Sequence, residues 1–275
     1  MIVRPGWMRA CTVANLGHGS APAGSDGPAR RRRRPGTLGA VEVTASAETA
    51  EPEIDLGAHY ARVRERLCAL LEEAGEAAAD VAVPACPGWT VRDVVAHLVG
   101  NIEDGAAGRI QGPPSEAQTA EQVARHRDES LAVLADTWRQ GSPLMEDALR
   151  RAQMWPGMID ALSHEHDVRA ALDRPGARSV DTVRVVADRL VESAPVPLRV
   201  RFPDGREVCS AATSPTADAP VLRTTPFEVV RLRLGRRSRD QVAALRWEPP
   251  PGTALDRLFV FGPSARPLVE PGPEA

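Results

Sequence analysis

Pro84-Ala85-Cys86-Pro87-Gly88-Trp89-Thr90-Val91-Arg92-Asp93-Val94-Val95-Ala96-His97-Leu98 is a rigid turn that delivers the start of a helix. Thr90 followed three residues later by Asp93 is a capping signature, with the carboxylate near the positive end of the helix. Val91, Val94, Val95, Leu98 and Ile102 then mark one buried face. His97 stands three residues after Val94 on that side, so it points inward. The helix should stop between Gly105 and Gly108.

Upstream, Leu56, Tyr60, Val63, Leu67, Leu70 and Ala74 recur at steps of four and three, which predicts an amphipathic helix from near Ile54 to Gly75. Downstream, Thr119 opens a third helix with Gln122 as its capping-box partner. Val123, Leu131, Leu134 and Trp138 form its stripe, and Gly141-Ser142-Pro143 breaks it. A fourth helix starts at Pro156, a residue suited to the first helical position, and runs through Leu172 to the stop at Pro175-Gly176. Four helices joined by connections of modest length read as a bundle.

From Ser179 the texture changes. A helix over Val180 to Val191 leads into Leu198-Arg199-Val200-Arg201-Phe202, an alternating strand. Asp204-Gly205 makes a hairpin turn, and the return strand covers Glu207 to Cys209. Ala219 to Thr224 is a further strand, Phe227 to Leu234 and Ser238 to Leu245 are helical, and Leu255 to Phe261 is the last strand. Strands mixed with helices make a smaller α+β domain. The expected organisation is a tail over residues 1–50, the bundle over 51–177, the α+β domain over 178–265 and a second tail over 266–275.

Composition limits the functions open to the chain. Residues 1–50 hold seven Arg, including the run Arg30 to Arg34, against three acids, while the whole chain has a net charge of −3. The body is therefore acidic and offers no general attraction to nucleic acid, and aromatics at 4% are too few for a base-stacking surface. The basic run is read as a solvated tail, with a nucleic-acid or targeting arm as the other reading. Cys11, Cys68, Cys86 and Cys209 are widely spaced and form neither a disulfide framework nor a thiolate zinc site. No apolar run is long enough to span a membrane, the N-terminus lacks the apolar core of a secretory signal, and a reducing cytoplasm is the expected compartment.

Chemistry concentrates in Met158-Ile159-Asp160-Ala161-Leu162-Ser163-His164-Glu165-His166-Asp167-Val168-Arg169. Asp160 and His164 are one helical turn apart, so their side chains share a face and can grip one metal from adjacent corners. A third ligand from a facing helix would complete a site with open positions, and His97 is the natural candidate. Asp167, three residues past His164, shares that face and is placed to orient the other nitrogen of the imidazole. Spacing alone also allows an ion pair and a satisfied core histidine. His164 and His166 stand about 200° apart on a helix, so only one can face the core, and His166 is expected at the surface. Trp89 reads as a packing anchor and Cys86 as a structural cysteine, since the sequence places no base beside it. Arg236-Arg237 could hold a carboxylate of a thiol cofactor or substrate by paired hydrogen bonds, or form a solvated turn.

The segment from Pro84 to Leu98 resembles the signature of the mycothiol-dependent maleylpyruvate isomerase N-terminal domain, which is similar to DinB-like four-helix bundles. Pro226-Phe227-Glu228 through Gly235-Arg236-Arg237-Ser238 resembles the C-terminal domain of that family, which is similar to sterol-carrier folds. The likeness covers roughly residues 55 to 262. It implies a divalent metal, zinc being the expected ion, held by His97, Asp160 and His164. It also implies mycothiol as a thiol cosubstrate and transfer or isomerisation of a small molecule through a thiol adduct. The isomerases of the family carry Glu where this chain has Asp160, one methylene shorter. A non-catalytic small-ligand-binding or regulatory protein on the same fold is the alternative. Occupancy of the metal site separates the two.

Overall fold

The computed structural model describes residues 54–110, 112, 114–213 and 219–270. The tail over residues 1–50, with Arg30 to Arg34 and Cys11, lies outside the described residues, and those from Asp55 onward belong to one compact unit.

The N-terminal part is a helical bundle. Its long members are α1 (Leu56–Ala74), α2 (Val91–Ala106), α4 (Leu131–Ala152) and α5 (Trp155–Ala171), with a short α3 (Glu116–Arg125) packed on α2. The apolar stripes read from the sequence are buried at Tyr60, Val63 and Leu67 on α1, Val94, Val95 and Leu98 on α2, and Leu134 and Trp138 on α4, while Ala74 and Val123 are half-buried. Trp138 meets Tyr60 edge to face and donates from its indole nitrogen to the Tyr60 hydroxyl at 2.9 Å, so the polar tips of both rings are satisfied in the core.

Two helix boundaries differ from the sequence expectation. The capping box that opens α3 is Ser115 with Gln118, not Thr119 with Gln122, and both of the latter lie inside the helix. The stretch Gly141-Ser142-Pro143 does not end a helix either. A separate helix, α4, starts at the Ser130 cap and continues through Pro143. The proline ring sits on the exposed side, while Leu134, Trp138 and Leu149 hold the buried side along the whole length. Ser142 donates its hydroxyl to the Trp138 carbonyl at 2.6 Å, one turn back, beside the place where the proline supplies no N–H.

The C-terminal part is smaller and contains the sheet. Helix α6 (Asp181–Glu192) packs along α7 (Pro226–Arg233) and reaches β2. Strands β1 (Arg199–Arg201), β2 (Glu207–Cys209), β3 (Val221–Arg223) and β4 (Arg246–Glu248) lie in the order β2-β1-β3-β4. β1 pairs with β2 antiparallel, Val200 facing Val208, and with β3 parallel, Val200 facing Leu222. The hairpin turn at Asp204-Gly205 is where the sequence put it. A short α8 (Arg239–Ala243) precedes β4. The last strand is β4 rather than Leu255 to Phe261. Leu255 and Leu258 are both buried, and a spacing of three suits the 3-10 turn that covers Gly252–Arg257.

No helix among the described residues is long and apolar enough to cross a membrane. No disulfide joins Cys68, Cys86 and Cys209 among the described residues.

Candidate metal centre

The capping box read at Thr90 and Asp93 forms in both directions and fixes where α2 begins. Ahead of it the chain turns tightly: Cys86 N–H donates to the Val83 carbonyl, and Trp89 N–H donates to the Cys86 carbonyl. Gly88 takes the left-handed conformation (φ 89°) within this turn. As a result Cys86 is buried, and the Trp89 ring lies over two histidines, its centroid 5.4 Å from that of His97 and 6.3 Å from that of His164.

His97 comes from α2, whereas Asp160 and His164 come from α5, one turn apart. All three are buried, and each offers a ligand-type atom, the three lying within 4.8 Å of one another. His97 Nε2 is 3.3 Å from Asp160 Oδ2, and His164 Nε2 is 3.5 Å from Asp160 Oδ1. The two imidazoles are nearly perpendicular, so their nitrogens converge from different directions. His164 Nε2 is buried and has no hydrogen-bond partner. Asn101, one turn after His97, donates from Nδ2 to Asp160 Oδ2 at 3.1 Å and lies 3.2 Å from His97 Nε2.

Two imidazole nitrogens and one carboxylate, buried and convergent, are a donor set that fits a divalent transition ion with open positions left for other ligands. His164 Nε2 agrees with that fit, since it makes no hydrogen bond and its nearest charged neighbour is Asp160, a second ligand of the same set.

The opposite edge of His164 is held by protein. Its Nδ1 is 3.2 Å from Asp167 Oδ2, the position expected of an orienting carboxylate. Asp167 in turn accepts from Arg231 at 2.8 Å and from Arg236 at 2.8 Å. Burial opposes the charge on Asp167, but Arg236 and Arg231 hold its carboxyl well below the usual carboxylate range. An ionised Asp167 is only an acceptor, so His164 Nδ1 carries the hydrogen and Nε2 is the atom turned toward Asp160 and His97. Burial also opposes ionisation of Asp160, yet His164 and His97 keep it low. Burial disfavours the His164 cation, but the charge of Asp160, helped by Asp167, pushes its pKa up to about 10.

Cys86 was not legible as part of this neighbourhood. Its Sγ is 3.8 Å from His164 Nδ1 and 3.6 Å from Asp167 Oδ2. Cys86, His164 and Asp167 thus form a second convergent group of ligand-type residues. Two guanidinium groups already neutralise Asp167 there, so a cation would meet their repulsion. The group is better suited to orienting the imidazole than to holding a metal.

His166 is not at the surface. Every residue of α5 from Met158 to Val168 is buried, because the bundle covers one side of the helix and the C-terminal part covers the other. The His166 ring packs against Phe227 of α7 with centroids 4.9 Å apart, and burial holds its pKa well below the ordinary value. The turn at Arg236-Arg237 is not solvated either: both are buried, Arg236 on Asp167 and Arg237 on Glu228 and Glu270. The partners of both guanidinium groups include carboxylates of the chain itself.

Residues 60–183 match the model of a family described as the mycothiol maleylpyruvate isomerase N-terminal domain, a span that takes in α2 to α5 with Cys86, His97, Asp160, His164 and Asp167. The chain is similar to a crystal structure of the mycothiol-dependent maleylpyruvate isomerase, with 15% identity, 71% of this chain and 91% of that chain covered, and a TM-score of 0.40. A histidine-to-alanine mutant of that enzyme gives 14% identity, the same coverage and a TM-score of 0.39. No curated protein matches the sequence.

Proposed function

We propose that the chain is a divalent-metal-dependent enzyme of the cytoplasm that uses a low-molecular-weight thiol, with mycothiol as the cosubstrate, to transfer or isomerise a small molecule. His97, Asp160 and His164 hold the metal, zinc being the expected ion, and Asp167 orients His164. On this reading the bundle is DinB-like, and the C-terminal part is a sterol-carrier-like domain that walls the site. A small-molecule thiol and a small-molecule substrate are its partners, with no role for nucleic acid or membrane.

The observation that carries this reading is the convergence of buried ligand atoms from His97, Asp160 and His164 within 4.8 Å of one another. The family match over residues 60–183 supports it independently. When bound, a divalent cation would supply Lewis acidity that favours a thiolate at neutral pH. The residues of the chain do the rest. Asp160 contributes the one negative charge, and the two imidazoles contribute neutral donors, so a cation retains positive charge toward an incoming thiolate. Trp89 covers the two imidazoles and limits water on that side.

The test is metal content by mass spectrometry on protein purified without chelator, beside a His97→Ala/His164→Ala double variant. Near one equivalent of a divalent ion, lost in the variant, is expected. Adding mycothiol to the cobalt-substituted protein should then produce a sulfur-to-metal charge-transfer band. No metal as purified, and none taken up when zinc is added, would sink the enzyme reading and leave a ligand-binding bundle with structural histidines.

A further inference from the structure

His97 has a second hydrogen-bonding edge, and what it meets comes from α3. Gln122, buried inside that helix, places Oε1 2.8 Å from His97 Nδ1. Its Nε2 lies 2.8 Å from Asp104 Oδ2 and 3.1 Å from Asn101 Oδ1. Asp104 receives two further donors, Arg125 at 2.7 Å and Arg109 at 2.6 Å. Burial opposes the charge on Asp104, and the bonds from Arg109, Gln122 and Arg125 outweigh it, so the carboxyl is held low.

These contacts fix a direction. A carboxylate can only accept, so Gln122 must turn its NH2 toward Asp104 and its carbonyl oxygen toward His97. That oxygen can only accept, so His97 carries a hydrogen at Nδ1, and in the neutral ring the lone pair falls at Nε2. On the other edge of the ring, Nε2 meets the Asn101 amide at 3.2 Å and Asp160 Oδ2 at 3.3 Å. The Asn101 Oδ1 accepts from Gln122, which leaves its NH2 facing His97 Nε2 as a donor.

The backbone is cut to allow this contact. A Cβ built on Gly100 would lie 2.5 Å from both Cβ and Cγ of Gln122. Only glycine lets α3 approach α2 closely enough for Gln122 to reach the ring.

We infer that Gln122 is a positioning residue that locks His97 as the Nδ1–H tautomer, with Asp104 setting the amide orientation, so that Nε2 is presented as a metal ligand. The inference rests on the metal reading for its purpose but not for its chemistry, because the tautomer exists in the metal-free protein. It also gives the short α3 a task. The two histidines become a matched pair, one anchored through Asp167 and the other through Gln122.

The test is long-range nitrogen–proton NMR of the full chain labelled in its histidines, without metal, with the His97 signals identified by their loss in His97→Gln. Wild type should show Nδ1–H at His97, and Gln122→Leu should lose that preference. The double exchange Gln122→Glu/Asp104→Asn, which restores an acceptor toward His97 and a donor toward residue 122, should recover it. An Nε2–H tautomer in wild type, or an unchanged tautomer in a folded Gln122→Leu, overturns the inference. If Gln122→Leu does not fold, Asp104→Asn alone must weaken the preference, and an unchanged tautomer there overturns it equally. Cobalt(II) affinity is the second readout, expected to fall about 10- to 100-fold in Gln122→Leu and to recover in the double exchange. An affinity unchanged in folded Gln122→Leu also overturns the positioning role. Failure of wild type to bind cobalt would remove the metal reading while the NMR result still decides the tautomer.

Discussion

His164 works with both of its nitrogens. One is tied through Asp167 to two arginines, and the other faces His97 and lies 3.5 Å from Asp160 Oδ1. In the metal-free protein the neighbouring carboxylates push its pKa up to about 10, so it holds a proton at neutral pH. A metal must displace that proton from Nε2, and the sign follows: binding strengthens as pH rises toward 10. With one proton released, the association constant for zinc should rise about tenfold per pH unit between pH 6 and 8. Calorimetric titration in buffers of different ionisation heat counts the protons, and uptake with none released would show that no proton is held on His164 Nε2 for the metal to displace. Asp160, His164 and Asp167 were legible in the sequence because all three lie on one helix, where spacing fixes the face. Gln122, Asn101 and Cys86 were not. Their roles depend on how α3 and the turn before α2 dock, and no local spacing records a contact between residues 25 or 78 positions apart.

Proline within a helix usually ends it, and α4 shows the opposing force. Interior proline removes one backbone hydrogen bond and crowds the preceding turn, at a cost of about 3 kcal/mol. Burial of Leu134, Trp138 and Leu149 along the same helix outweighs that cost, since each side chain of this size contributes about 2 kcal/mol when taken out of water. The penalty at Pro143 is therefore still present in the folded protein, and its ring is exposed. Pro143→Ala should stabilise the protein by about 2 kcal/mol, after allowing for the greater freedom an alanine gives the unfolded chain. Urea denaturation measures this directly, and a loss of stability would mean that the ring packs usefully. The first, second and fourth helices predicted from the sequence were found within a few residues, because each carries a clear stripe or cap. The third reads as one helix in the sequence because Leu131 falls eight residues after Val123, close to two helical turns, so α3 and α4 look in phase across the polar stretch between them. β4 was missed because Arg246-Trp247-Glu248 is three residues long, with two of them exposed, which is too short for alternation to stand out.

Arginine does the work of lysine throughout the sequence, which has none, and its pairs among the described residues divide into two kinds. Arg206 with Asp204 and Arg239 with Asp256 are exposed, screened by water and salt, and contribute little. Arg231 differs. It is 1% exposed, reaches Asp167 of the bundle at 2.8 Å, and is joined to Glu270 near the end of the chain at 2.6 Å. With Arg236 it spans α5, α7 and the segment before residue 270, so the helical and sheet-containing parts share one buried ionic cluster. Buried pairs need not stabilise against an apolar replacement of the whole cluster, but removing one member leaves uncompensated charge and costs about 3 kcal/mol or more. Two consequences follow. The described part should unfold as a single cooperative unit, with one calorimetric peak whose van't Hoff and calorimetric enthalpies agree. Arg231→Met should lose at least about 3 kcal/mol, while Arg239→Ala on the surface should leave the melting curve where it was. Two peaks in wild type would mean that the parts fold independently and that the cluster only decorates their boundary. A small effect of Arg231→Met would mean that Arg236 alone neutralises Asp167. Because Asp167 also orients His164, the same variant tests whether that orientation depends on the C-terminal part: weaker cobalt binding in a still-folded Arg231→Met would tie the metal centre to the sheet-containing part through Asp167.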